Sequence, residues 1–340
     1  MSGVSAAARQ SARALLNAQI DAFTKSTKQP KPLNVIYSTQ PDWPLRKKIS
    51  GSSKGKEEKE STSSLTQIDV GVLDSSFNPP QLAHYALARS KKPSFKDEQV
   101  VENATRESYD ALLLIFSIKN ADKGMGTKKD ASLLDRLLMM QEFAKDVEEE
   151  TQANVAVAIV EEPLMIAKST LIHEYFSSSS KEEPAATAAI AAPPSLRLHW
   201  LVGFDTLQRF FQVKYYPSPD FFHQACDKFF NKERTTFVCA RRGAESLPNR
   251  DQKSNAKSQQ EEERELLESE EVKPWLDQGV VVMIDLDRSV HNVSSTAIRN
   301  VLAQEKSKVA QQSKLQQMTT KRVTEYLIQE SVYEGEEGES

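Results

Sequence analysis

Residues 68–84 read Ile68-Asp69-Val70-Gly71-Val72-Leu73-Asp74-Ser75-Ser76-Phe77-Asn78-Pro79-Pro80-Gln81-Leu82-Ala83-His84. The first six form a short, mostly apolar and β-branched run, the pattern of a strand covered on both faces. From Asp74 to Pro80 the serines, the asparagine and the two prolines are turn formers. Prolines suit the start of a helix, where a missing N–H is no loss, and residues 81–90 read as that helix. A strand that turns directly into a helix N-terminus gathers free backbone N–H groups and the positive end of the helix dipole. The junction therefore predicts an anion site. His84 lies one turn into the helix, and its side chain can lean back towards that end.

The alternation continues in both directions. Strands are expected at 34–38, 111–117, 155–160, 198–202, 235–240 and 280–286, and helices at 133–147, 164–176, 294–303 and 319–332. Strands alternating with helices imply an α/β class protein, a doubly wound, Rossmann-like parallel sheet with right-handed crossovers. In such sheets a ligand sits beyond the carboxyl ends of the strands, where the strand order reverses. The chemistry is thus expected just after Leu73, Ser117, Val202 and Leu286. A second junction lies there: Val293-Ser294-Ser295-Thr296-Ala297-Ile298-Arg299. Ser294 is a helix N-cap candidate, the hydroxyls and amides offer donors, and Arg299 brings a permanent cationic fork one turn in. Two such helix ends, each with one cationic or protonatable side chain, suit the two sides of a polyphosphate.

Around this core the chain is polar. With 44 Lys+Arg against 48 Asp+Glu over 340 residues, the net charge of −4 excludes a generic basic nucleic-acid binder. The mean hydropathy of −0.54 fits a folded core with solvated inserts. No apolar run approaches the ~20 residues that span a bilayer, so no membrane partner is expected. Two cysteines without a CxxC exclude a disulfide scaffold and a cysteine-rich zinc site and fit a reducing compartment, cytoplasmic with the nucleus left open. Residues 1–48 read as an N-terminal helical extension and a short strand. The first twenty resemble a mitochondrial presequence in composition, but Leu15, Leu16, Ile20 and Phe23 have helical spacing. Residues 49–64 read as a mobile linker, 65–333 as one domain with loop inserts near 177–195 and 243–272, and 334–340 as an acidic tail. The inserts offer surface for protein partners. Phe221-Phe222-His223 and Phe229-Phe230 read as helix core, His173-Glu174 lacks the spacing of a metal site, and Asp285 and Asp287 read as a solvated turn.

The motifs carry a family resemblance. Ser76-Phe77-Asn78-Pro79 followed by His84 resembles the (G/S)-S-F-(N/D)-P-x-(H/T)-x-x-H signature of the nucleotidylyltransferase superfamily, and Val293 to Arg299 resembles its I-S-S-T-x-x-R signature. Leu201-Val202-Gly203-Phe204-Asp205-Thr206-Leu207 with Phe210 is similar to the G-x-D-x-L-x-x-F segment of nicotinamide mononucleotide adenylyltransferases. Phe237 to Gly243 is similar to the strand and R-x-G turn that follow it, and Ser117 to Lys123 with Asp135-Arg136 and Met140 to the S-P-V-N-D-x-Y-x-K region and its R-x-x-M helix. The segments keep the family's order across about three quarters of the chain, and the inserts look most like the divergent fungal branch.

The resemblance implies a nucleotidyltransferase fold and the reaction of ATP with nicotinamide mononucleotide to give NAD and pyrophosphate. Attack on the α-phosphorus is in line, and Mg²⁺ rides on the ATP phosphates. By the same resemblance His84 and Arg299 are the catalytic pair, with Ser294, Ser295 and Thr296 on the β- and γ-phosphates. Ser75, Ser76, Phe77 and Gln81 are substrate-binding residues. Lys123, with Lys119 as a rival, meets a phosphate. Gly203 and Asp205 line the ribose and nicotinamide side, Thr170 matches a family threonine near the nicotinamide, Arg241 of the R-x-G turn binds substrate, and no residue is assigned to a protein-held metal. Three departures stand out: Ser75 replaces the family's glycine, Gln81 replaces the first H/T, and Val160-Glu161-Glu162-Pro163 lacks the family's Trp, with Tyr215, Tyr216 and Trp200 as substitutes. The alternatives are a nucleotide-binding regulatory protein, an ATP hydrolase that kept the fold, or an adenylyltransferase for another phosphate-bearing acceptor.

Overall fold

The computed structural model describes residues 6–28, 31–45, 67–94, 107–119, 130–179, 195–241 and 258–333. Within them one sheet contains β1 (Asn34–Ser38), β2 (Gln67–Asp74), β3 (Ala111–Ser117), β4 (Asn154–Val160), β5 (Ser195–Gly203), β6 (Thr235–Ala240) and β7 (Val281–Ile284). Their spatial order is β1-β4-β3-β2-β5-β6-β7, and every pairing is parallel except β1 with β4. Numbered along the chain from β2, the parallel strands run 3-2-1-4-5-6, the dinucleotide-binding arrangement. The order reverses between β2 and β5, so the crevice falls at the carboxyl end of the stretch quoted at the outset.

The strands are mostly apolar because both faces are covered. On β3, Leu112, Leu114 and Phe116 enter one core while Ala111, Leu113 and Ile115 enter the other; on β4, Val155, Val157 and Ile159 oppose Ala156, Ala158 and Val160. The first core is closed by α1 (Ala6–Lys25), α2 (Leu82–Ala88) and α3 (Leu133–Thr151), together with α9 (Ser295–Gln304), α10 (Lys308–Leu315) and α11 (Lys321–Gln329). The second is closed by α4 (Met165–Ser179), α5 (Phe204–Phe210), α6 (Pro219–Asp227), α7 (Gln259–Glu268) and α8 (Lys273–Asp277). Gly71 leaves room in β2 for a neighbouring side chain: a Cβ there would come 2.6 Å from Leu112 Cδ2, which would have to move. The helix-core reading of the aromatic segment holds for Phe222, Phe229 and Phe230, which are buried, whereas Phe221 and His223 are exposed.

The N-terminal helix and the short strand at 34–38 form as α1 and β1; β1 is built into the sheet, and Arg13 of α1 pairs with Asp135 at 2.8 Å and Glu330 at 3.2 Å. Other expectations need correction. The insert expected as a loop at 243–272 holds α7 in its described part. Ser258 accepts from Glu261 N–H at 3.2 Å while the Glu261 carboxylate accepts from Ser258 N–H at 2.8 Å, a capping box that the S-x-x-E spacing encodes. Leu266, Leu267 and Trp275 pack on the second core and Val272 is fully buried in it. Residues 177–179 of the loop expected near 177–195 are helical, the last turn of α4. The linker at 49–64, the rest of both inserts and the tail at 334–340 lie outside the described residues.

Candidate active site

The turn between β2 and α2 is held from several sides. Phe77 adopts φ 42°, a left-handed conformation that is costly for a bulky residue. Its fully buried ring, 5.2 Å from the His84 ring and 6.3 Å from Phe143, supplies the packing that offsets the cost. Three successive carbonyls are then bound in turn. Arg299 Nη1 donates to Asn78 O at 2.5 Å, Ser295 Oγ to Pro79 O at 2.8 Å, and Thr319 Oγ1 to Pro80 O at 2.8 Å. The two motifs singled out in the sequence are thus stapled directly together. The Asn78 side chain accepts from Ala131 N–H at 3.1 Å and Tyr333 Oη at 2.6 Å, and donates to Asp130.

His84 is half-buried. Its Nδ1 accepts the Gln81 backbone N–H at 3.2 Å, and Nε2 lies 3.0 Å from Ser75 Oγ. An accepting Nδ1 leaves the neutral ring's proton on Nε2. Burial without a carboxylate neighbour pushes its pKa down to about 4. Ser294 caps α9 by accepting from Ala297 N–H at 3.1 Å, and Arg299 Nη2 donates to Thr296 Oγ1 at 3.2 Å.

These groups surround a cavity of about 670 Å³ at the strand-order reversal. Ser75, Ser76, Gln81, His84, Gly203, Asp205, Arg241, Ser294, Ser295, Thr296 and Arg299 all line it, so the structure brings together most of the residues proposed from sequence. Four arginines face it, Arg136, Arg209, Arg241 and Arg299, against the carboxylates of Asp130 and Asp205. Arg136 lies 3.5 Å from Asp130 and over the Phe116 ring at 5.7 Å, and burial holds its pKa below the ordinary arginine value. Arg241 pairs with Glu263 of α7 and lies 3.8 Å from Asp285. A Cβ on Gly203 would meet nothing within 4 Å, so the cavity reaches the backbone there. Among the described residues no group of three or more His, Cys, Asp or Glu could hold a metal ion.

Other expected residues lie elsewhere. Phe77 is a core anchor and its ring does not face the cavity. Thr170 donates to Glu233 at 2.7 Å and accepts from Lys228 at 2.7 Å, beside the amino end of β6 and away from the cavity. The end of β3 is not part of the lining: Ser117 Oγ bonds the carbonyls of Lys119 and Glu162. Lys119 pairs with Glu161 at 2.9 Å, and Lys123 lies outside the described residues. Trp200 is fully buried, and Tyr215 and Tyr216 do not line the cavity, so none replaces the missing tryptophan. Sequence reasoning did not select Arg209, Asp130 or His291, and it quoted Arg136 only as part of a helix. Asp205 and Arg209 stand one helical turn apart directly after a strand end, a spacing that signals a shared face.

Fold and site define a doubly wound α/β protein with a cation-rich crevice at its switch point. No family model matches the chain. Over 147 residues it is 32% identical to a candidate nicotinamide mononucleotide adenylyltransferase of Schizosaccharomyces pombe, a match covering 43% of this chain. The chain spans 44% of that relative's length. Among solved structures it is similar to a nicotinic acid mononucleotide adenylyltransferase of Plasmodium falciparum complexed with NaAD, at 10% identity and TM-score 0.44 over 78% of this chain and 98% of that one. A candidate nicotinate-nucleotide adenylyltransferase from Vibrio parahaemolyticus gives 16% identity and TM-score 0.37 over 78% and 96%. Among the described residues no helix is long and apolar enough to cross a membrane.

Proposed function

We propose that the protein transfers the adenylyl group of ATP to a pyridine mononucleotide, nicotinamide mononucleotide in the first instance. A phosphate oxygen of the mononucleotide attacks the α-phosphorus in line, the α–β bridging P–O bond breaks, and pyrophosphate leaves. The observation that carries this reading is that His84 and Arg299, on different helices, face one cavity and are tied to one turn. Positioning and charge stabilisation suffice for such a transfer. Arg299, Arg136 and the N-terminus of α9 receive the β- and γ-phosphates. His84 serves the transferring phosphate. Ser75, Ser76 and Gln81 follow the ATP chain, while Gly203, Asp205 and Arg241 take the acceptor side. Magnesium enters as part of the nucleotide substrate, since Asp130, one of the two cavity carboxylates, is engaged with Asn78 and Arg136.

The test is product detection by mass spectrometry after incubating the purified chain with MgATP and nicotinamide mononucleotide, nicotinate mononucleotide or no acceptor. The expected result is a dinucleotide formed only with acceptor. ATP binding with no dinucleotide from either acceptor would overturn the reading and favour a regulatory nucleotide-binding protein.

A further inference from the structure

Ser75 stands where the resembled family carries glycine, yet nothing in the local backbone demands glycine there. The left-handed residue of this turn is Phe77, and Ser75 is absent from the positive-φ residues of the described chain. The serine hydroxyl is instead engaged with the site. Its Oγ lies 3.0 Å from His84 Nε2, the nitrogen that carries the imidazole proton because Nδ1 already accepts the Gln81 N–H. The Nε2–H therefore donates to Ser75 Oγ, and the serine's own proton has no protein acceptor among the described residues. Ser75 lines the cavity, so that proton is available to a ligand.

We propose that Ser75 is a further ligand of the transferring phosphate: its hydroxyl donates to a phosphate oxygen while His84 Nε2–H donates to Ser75 Oγ, and the imidazole acts through the serine. This rests on the function proposed above. A Ser–His pair at this distance is also the geometry of a nucleophile and its base. The tautomer excludes that use, since an Nε2 that already bears a proton cannot take one from Ser75. The serine is a donor, no covalent intermediate forms on it, and the transfer remains direct. Donors linked in series polarise one another, so the outer hydroxyl is a better donor than an isolated serine.

The test uses the full chain and five variants: Ser75→Ala, Ser75→Gly, Ser75→Thr, His84→Ala and the Ser75→Ala/His84→Ala double. Melting temperatures confirm folding. Ser75→Ala and Ser75→Gly are expected to lower pyrophosphate release about as far as His84→Ala does, ~10²-fold or more, with the KM for ATP changing less than about 5-fold, as for a contact that strengthens in the transition state. Ser75→Thr, which keeps the hydroxyl, should stay within about 3-fold of wild type. The double variant should fall no more than about 3-fold below His84→Ala, because residues acting in series are non-additive. Ser75→Ala at wild-type turnover or above, or fully additive losses, overturns the relay. If the wild-type chain releases no pyrophosphate with any pyridine mononucleotide, the proposed function fails separately. The relay is then read from calorimetric affinity for the magnesium complex of the β,γ-imido analogue of ATP. A loss of about 3-fold in Ser75→Ala that disappears in the His84→Ala background supports it, and equal affinities overturn it.

Discussion

Two inward-facing histidines sit at opposite ends of the sheet, and their surroundings separate a site from a support. At the amino end, His199 is fully buried, with Nε2 on Asp69 at 3.1 Å and Nδ1 on Thr236 at 2.7 Å. Asp69 also receives Lys92 at 2.6 Å, and Arg197 lies 4.0 Å away. Burial pushes His199 down while Asp69 pulls it up, and burial prevails. Asp69, which burial alone would raise, is held below the carboxylate range by His199 and Lys92. Every side-chain nitrogen of His199 is used inside the protein. At the carboxyl end, His84 has no carboxylate partner, its chain of donors ends on a hydroxyl, and that hydroxyl faces a cavity with four arginines. A closed polar network stabilises; one left open onto a cation-lined space is prepared for an anion.

The sharpest way to break this contrast is to remove each imidazole. His84→Ala should lower turnover by at least ~10²-fold and leave the melting temperature nearly unchanged, as for a lost transition-state interaction. His199→Ala should do the reverse: about 3 kcal/mol lost in urea unfolding because Asp69 loses a buried partner, with normal turnover per folded molecule. If both variants lose activity alike, or both lose stability alike, the contrast fails. Arg299→Ala cuts the staple and removes a cation together, so MgATP affinity by calorimetry should weaken about 10-fold or more.

The insert near 243–272, expected as a loop, holds a packed helix. Deleting 261–271 removes Leu266 and Leu267 from the second core and Glu263 from Arg241, so chemical denaturation should show a loss of about 3 kcal/mol or more. A variant as stable as wild type would show that α7 is dispensable.

A smaller effect concerns pH. Both histidines are depressed in the folded chain, His84 to about 4 against an ordinary 6.5. Below pH 6.5 the unfolded chain takes up protons that the folded one refuses. Their contribution to stability is complete above pH 6.5 and is lost as pH falls towards 4. The urea midpoint should drop between pH 7 and pH 5, and drop less in His84→Ala. Gly203→Ala is the mildest change. It should fold normally, since its Cβ meets nothing, and weaken ligand binding only a few-fold by intruding on the cavity.

Much of this was legible because short-range patterns carried it. The apolar strands announced a sheet covered on both faces, and the turn at 74–80 and the Ser294–Arg299 segment announced two helix ends. What stayed hidden depends on long-range geometry. Nothing in Asn34–Ser38 says that β1 pairs antiparallel with β4. Arg136 and Arg209 look like solvated helix charges until α3 and α5 are placed around the crevice. Phe77 reads as a motif residue, but its ring serves the core. Thr170 falls at the wrong end of the sheet because α4 carries it down to Glu233. The capping box of α7 was legible in principle, and the acidic composition around it obscured it.

In the proposed function His84 and Arg299 converge on one polyphosphate whose α-phosphorus is attacked by a pyridine mononucleotide. Pyrophosphate release from MgATP, measured with and without nicotinamide mononucleotide on wild type and His84→Ala side by side, tests it most directly. The expected result is acceptor-dependent release that collapses in the variant. Release independent of acceptor, or undiminished without His84, would contradict it.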